Sequence, residues 1–105
     1  MDDFNNLLDI VSQLRKECPW DKEQTHESLA KHLIEESYEL LDTLSNLNDS
    51  PESFNDFKEE LGDLLLQILL HSEIASENNL SKNNYFLKQF LNVKVFGVRD
   101  LLTLL

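Results

Sequence analysis

From Phe4 to about Glu17, apolar residues recur at three- and four-residue intervals, at Phe4, Leu7, Val11 and Leu14. That period lines one face of a helix, with Asp2 or Asp3 available as its N-cap. Cys18-Pro19-Trp20-Asp21 interrupts the pattern, because a proline biases the residue before it away from helical dihedrals. Thr25 offers a side-chain oxygen to cap a second helix that runs to about Leu47. On it, Leu29, Leu33, Leu40, Leu44 and Leu47 share one arc at about 100° per residue. Asn48-Asp49-Ser50-Pro51 reads as a turn, and Ser50 followed by Pro51 is a start signal for a third helix reaching about Glu77. Asn78 and Asn79 end that helix, Ser81 can cap a weaker fourth through about Leu91, and Asn92 to Leu105 show no helical period. These elements predict an all-α domain over residues 1–91 with a divergent or truncated tail over 92–105.

The third helix carries two apolar stripes. Phe54, Phe57, Leu61, Leu65 and Ile68 form one, read as the core, and Leu66, Leu70 and Ile74 form another. A helix apolar on most of its circumference is buried on several sides. A bundle this small cannot cover both stripes, so the second is expected to face another copy: a helical-hairpin bundle completed by oligomerisation, at least a dimer. Gly62 lowers helix stability by about 1 kcal/mol relative to alanine. It either permits a close helix approach or is incidental.

Composition narrows the function classes. The 105 residues include twenty acidic and nine basic side chains, for a net charge of −11. Binding a phosphate backbone or an anionic membrane surface needs the opposite sign, so neither nucleic acid nor membrane is an expected partner. Leu64 to Leu70, interrupted by Gln67, is far too short to span a bilayer. A lone cysteine, Cys18, has no partner for an internal disulfide and fits a reducing, cytoplasmic setting. It also lacks neighbouring ligands at zinc spacing.

The acidity is patterned. Glu36 and Glu39 are spaced i, i+3 on the second helix, and Glu60 and Asp63 repeat that spacing on the third, so each pair projects from one face. Glu36 borders the leucine arc, and Asp63 projects between Leu70 and Ile74. Two helices joined by a short turn pack antiparallel, which lets the pairs face each other. Two unit charges at 4 Å interact by about 4 kcal/mol at an effective dielectric of 20. Carboxylates gathered this closely call for a cation, and an all-oxygen ligand set selects a hard one, Mg²⁺ or Mn²⁺. Any one of these carboxylates alone would read as part of a wet acidic face.

The stretch Glu35-Glu36-Ser37-Tyr38-Glu39, then twenty residues, then Glu60-Leu61-Gly62-Asp63, resembles the EExxE…ExxD motif of the all-α nucleotide pyrophosphohydrolases. Cys18-Pro19-Trp20-Asp21-Lys22-Glu23-Gln24-Thr25-His26, with Ser28-Leu29, resembles the MazG branch. So does Glu59-Glu60-Leu61-Gly62-Asp63-Leu64-Leu65-Leu66-Gln67. The resemblance covers about Phe4 to Ala75. It implies Glu36, Glu39, Glu60 and Asp63 as Mg²⁺ ligands, Glu35 in an auxiliary or water-activating role, and an oligomer of helical hairpins. The implied reaction cleaves a nucleoside triphosphate between its α- and β-phosphates, giving monophosphate and pyrophosphate. Relatives usually continue into a basic, histidine-containing stretch, to which Lys94-Val95-Phe96-Gly97 is the nearest counterpart. That departure leaves a second reading, a catalytically degenerate helical interaction module.

Lys22, Lys31 and Lys58 are the cations nearest the motif in sequence and the candidates to meet a triphosphate; each also reads as a solvated surface charge. Trp20 either stacks on a base or anchors its loop to the core. His32 shares a face with Glu36 and Glu39, while His26 and His71 read as structural.

Overall fold

Pro19, with its fixed φ, suits the first position of a helix, where its missing N–H is not needed. Cys18 is accordingly extended (φ −73°, ψ 122°), and the residues after it turn straight into a helix rather than a loop. The computed structural model describes residues 2–77, which form α1 (Asp2–Glu17), α2 (Pro19–Glu23), α3 (His26–Ser45) and α4 (Pro51–Glu77), with no strand among them. The predicted break is thus itself the short helix α2. The predicted fourth helix, Ser81 to Leu91, and the tail over 92–105 lie outside the described residues.

The caps predicted at Thr25 and Ser50 form, whereas Asp2 and Asp3, read as candidate N-caps, lie inside the first turn of α1. Thr25 Oγ1 accepts from the Ser28 backbone N–H at 3.0 Å, and the Thr25 N–H donates to Ser28 Oγ at 2.8 Å. This reciprocal capping box has serine where glutamate or glutamine is usual. At the start of α4, Ser50 Oγ accepts from the Ser53 N–H at 3.2 Å, and Asn48 Oδ1 braces the turn by accepting from the Ser50 N–H at 2.6 Å.

The short connection folds α3 and α4 into an antiparallel hairpin, and α1 lies along α4. Val11, Leu29, Leu69, Leu70 and Ile74 form the buried core, with Phe4, Leu7, Leu8 and Leu66 packed against it. Burying one such aliphatic side chain fully contributes about 1.5–3 kcal/mol.

This core reverses the expected roles of the two stripes on α4. Leu70 and Ile74, assigned in advance to a second copy, are 1% and 6% exposed, because α1 returns over the C-terminal half of α4. The stripe expected inside is the open one: Phe54, Leu61, Leu65 and Ile68 are 39–51% exposed, and only Phe57 is half-buried. On α3, Ile34, Tyr38, Leu41 and Leu44 are exposed as well. A Cβ built on Gly62 would meet nothing within 4 Å, so no close approach among the described residues requires the glycine. No described helix is long and apolar enough to cross a membrane.

Candidate metal centre

Helix arithmetic sets the level of each carboxylate. Glu36 stands nine residues before the end of α3 at Ser45, and Glu60 nine residues after the start of α4 at Pro51. At 1.5 Å per residue both lie about 14 Å from the turn, so they meet across the hairpin. Asp63 is one turn further from the connection and Glu39 one turn nearer to it. Their axial offset is therefore about 9 Å.

The side chains follow this arithmetic. Carboxylate oxygens of Glu36, Glu60 and Asp63 converge within 4.8 Å of one another, Glu36 and Glu60 half-buried and Asp63 exposed. Glu39 is not one of the three mutually converging carboxylates, yet its side chain is a hydrogen-bond neighbour of both Glu36 and Glu60 and its charge acts on both. Oε2 of Glu36 and Oε2 of Glu60 are buried without a hydrogen-bond partner. An ionised carboxylate offers only acceptors, so these oxygens cannot satisfy one another.

Their protonation responds accordingly. Glu36 is pushed up from 4.5 to about 7, first by burial and then by the charges of Glu39, Asp63 and Glu60. Glu60 is raised too, by burial and then by Glu39. Desolvation and like charge act in the same direction here, both disfavouring the carboxylate form. Buried acceptors, repelling charges and an all-oxygen donor set fit a divalent cation of the Mg²⁺ type.

The other sequence-predicted residues sit around this trio. Glu35 is exposed and reaches back one turn to His32, with Nδ1–Oε2 at 3.6 Å. Trp20, 47% exposed on α2, meets His32 edge to face, with ring centroids 5.4 Å apart and planes at 72°. Trp20 therefore reaches α3 one turn ahead of Glu36 while keeping a wet face, so it combines features of both its sequence readings. Lys31 and Lys58 are exposed on α3 and α4. Lys22 lines a surface depression with Ser12, Arg15, Lys16, Glu73 and Glu77, away from the carboxylate trio.

Two polar assemblies had no signal in residue spacing. Arg15 joins Glu77 across 62 positions. His26 and His71 stack nearly parallel, with Nδ1 atoms 2.8 Å apart. His71 is lowered by burial and then by the charge of His26, and its Nε2 is buried without a partner. Both pairs arise from which helices become neighbours, and local sequence does not carry that information.

A model described as the MazG nucleotide pyrophosphohydrolase domain matches residues 24–88. The chain is 47% identical over 76 residues to the nucleoside triphosphate pyrophosphohydrolase/pyrophosphatase MazG of Thermotoga maritima, covering 70% of this chain and 28% of that protein. It is 41% identical over 80 residues to the nucleoside triphosphate pyrophosphohydrolase of Escherichia coli K12, covering 73% and 28%. To the protein so named in Mycobacterium tuberculosis it is 46% identical over 78 residues, covering 71% and 22%. The chain thus spans about a quarter of the length of these relatives.

Proposed function

The chain belongs to the MazG nucleotide pyrophosphohydrolase domain family, and we propose that it hydrolyses nucleoside triphosphates to nucleoside monophosphate and pyrophosphate. One observation carries this reading: carboxylates from two helices converge within 4.8 Å, with two buried oxygens left without partners. Glu36, Glu60 and Asp63 hold Mg²⁺, or Mn²⁺ in its place, and Glu39 contributes from one turn away. The bound ion supplies the positive charge that reconciles an acidic site with an anionic substrate and lowers the pKa of the attacking water.

The protein's own groups do the rest. Glu35, held toward His32, accepts the proton that the attacking water gives up as the α–β anhydride bond breaks. Trp20, half exposed, stacks on the base, and His32 packs against its ring. Lys31 and Lys58, exposed on the two helices that carry the carboxylates, are the cations to meet the outer phosphates, whereas Lys22 lines the separate depression beside Arg15 and Glu77 and is not assigned to them. A second copy covers Ile34, Tyr38 and Leu41 together with Phe54, Leu61, Leu65 and Ile68, giving at least a dimer. The acidic balance and single cysteine support a cytoplasmic enzyme that does not bind nucleic acid.

The test is a panel of nucleoside triphosphates incubated with Mg²⁺ and resolved by chromatography. Monophosphate plus pyrophosphate supports the proposal, and Glu39→Gln should suppress turnover while preserving helicity. Diphosphate plus orthophosphate would refute the reaction class. No turnover with any nucleotide would favour the degenerate interaction module.

A further inference from the structure

Arg15 occupies the last turn of α1 with its side chain only 13% exposed. Its Nη1 donates to the carbonyl oxygens of Asp21 at 2.7 Å, Lys22 at 3.1 Å and Gln24 at 2.8 Å. Its Nε and Nη2 donate to the two oxygens of Glu77, at 2.6 and 3.1 Å. The three carbonyls close α2 at its C-terminal end, where a helix leaves acceptors without intrahelical donors. A planar fork suits this double duty: one edge takes a carboxylate bidentately while another nitrogen gathers carbonyls.

The consequence reaches beyond stability. Helix α2 has only five residues, and among the described helices its backbone packs on α1 alone. Five residues cannot hold a helical turn by propensity, since nucleation outweighs so few hydrogen bonds. Yet α2 carries Trp20, whose ring contacts His32 on α3, one turn before Glu36. Arg15 and Glu77 are therefore what ties the α2 carbonyl end to α4, and α4 carries Glu60 and Asp63.

We infer that Arg15 is a positioning residue for the nucleotide site: by clamping the carbonyl end of α2 to Glu77, it holds Trp20 on His32 beside the carboxylate centre. The inference rests on the proposed nucleotide reading for its kinetic part. Arg15 does not touch the carboxylate trio, so it sets how well substrate is seated rather than whether metal binds. Small misplacements of seating groups carry large kinetic costs, up to about a hundredfold for 1 Å.

Trp20 is the chain's only tryptophan, so its fluorescence reports this segment without labelling. The experiment compares wild type, Arg15→Gln, Arg15→Lys and Glu77→Gln in the full chain. It reads helicity by circular dichroism, Mn²⁺ affinity by calorimetry, acrylamide quenching of Trp20, and KM and kcat. In Arg15→Gln, Trp20 should become more accessible and KM should rise about tenfold or more, with Mn²⁺ affinity and helicity unchanged and kcat little altered. Arg15→Lys, which keeps the charge but not the fork, should recover part of the loss. Glu77→Gln should fall between, because the three carbonyl bonds remain.

Unchanged Trp20 quenching and KM in a folded Arg15→Gln protein would overturn the inference. So would loss of fold in both Arg15→Gln and Glu77→Gln, which would make the clamp a stability element. If wild type turns over no nucleotide, the proposed function fails separately. Trp20 quenching then still decides whether Arg15 holds α2, and an unchanged signal overturns that.

Discussion

Glu36→Gln should make the metal-free protein more stable above neutral pH, although it removes a central functional group. In the folded protein the Glu36 carboxyl is pushed up from 4.5 to about 7. The native state therefore holds this proton more tightly than the unfolded chain does. Its contribution to stability is fully present below about pH 4.5 and is lost as pH rises through about 7. At 1.36 kcal/mol per pH unit, the full penalty for ionising Glu36 is about 3 kcal/mol. Water at the exposed Asp63 flank screens part of it, leaving about 1.5–3 kcal/mol. Glutamine keeps the shape and cannot ionise, so the penalty disappears. For a domain of this size that corresponds to an increase of roughly 6–24 °C in melting temperature. The assay is thermal melting from pH 5 to 8.5 at fixed protein concentration with a chelator present. Wild type should lose stability across this range, and Glu36→Gln should lose less, retaining the smaller slope due to Glu60, whose pKa is also raised. Adding Mn²⁺ should reverse the order, because only an intact site gains stability from binding. A Glu36→Gln protein no more stable than wild type at pH 8 with chelator would refute this reasoning.

Leu61→Lys combined with Leu65→Lys should reduce the particle mass seen by light scattering while leaving helicity intact, since both residues are exposed within the chain. Leu70→Ala should instead destabilise the fold by about 2–5 kcal/mol, because it opens a cavity in a site that is 1% exposed. Gly62→Ala should raise stability in denaturant melts by about 1 kcal/mol, as the added methyl has open space around it. A loss of stability there would show that a segment outside the described residues, or another copy, approaches the glycine.

Local chemistry made much of this fold legible. Thr25 and Ser50-Pro51 announce their helices through groups that act within one turn, and both act as anticipated. The short turn also brings Glu36 level with Glu60, because equal residue counts on either side of the connection translate into equal rises. Glu39 and Asp63 stand at opposite ends of the cluster for the same reason: i, i+3 spacing moves Glu39 toward the turn and Asp63 away from it, while both stay beside Glu36 and Glu60. What periodicity could not decide was which stripe of α4 would be covered. That depends on α1 returning over Leu69, Leu70 and Ile74, a contact between residues far apart in sequence. The Arg15–Glu77 clamp and the His26–His71 stack have the same origin. Helix α2 is hidden in the sequence because Pro19 disfavours helix in the residue before it while its fixed φ starts the next turn.

The central claim is that carboxylates from α3 and α4 hold one divalent site jointly, and calorimetric titration of the metal-free protein with Mn²⁺ tests it most directly. Wild type should bind, and Glu36→Gln, Glu60→Gln and Asp63→Asn should each weaken binding about tenfold or more, in line with removing a ligand or its close support. Glu39→Gln should weaken it as well, because its carboxylate adjoins both Glu36 and Glu60. No binding by wild type, or wild-type affinity in Glu60→Gln, would contradict the account.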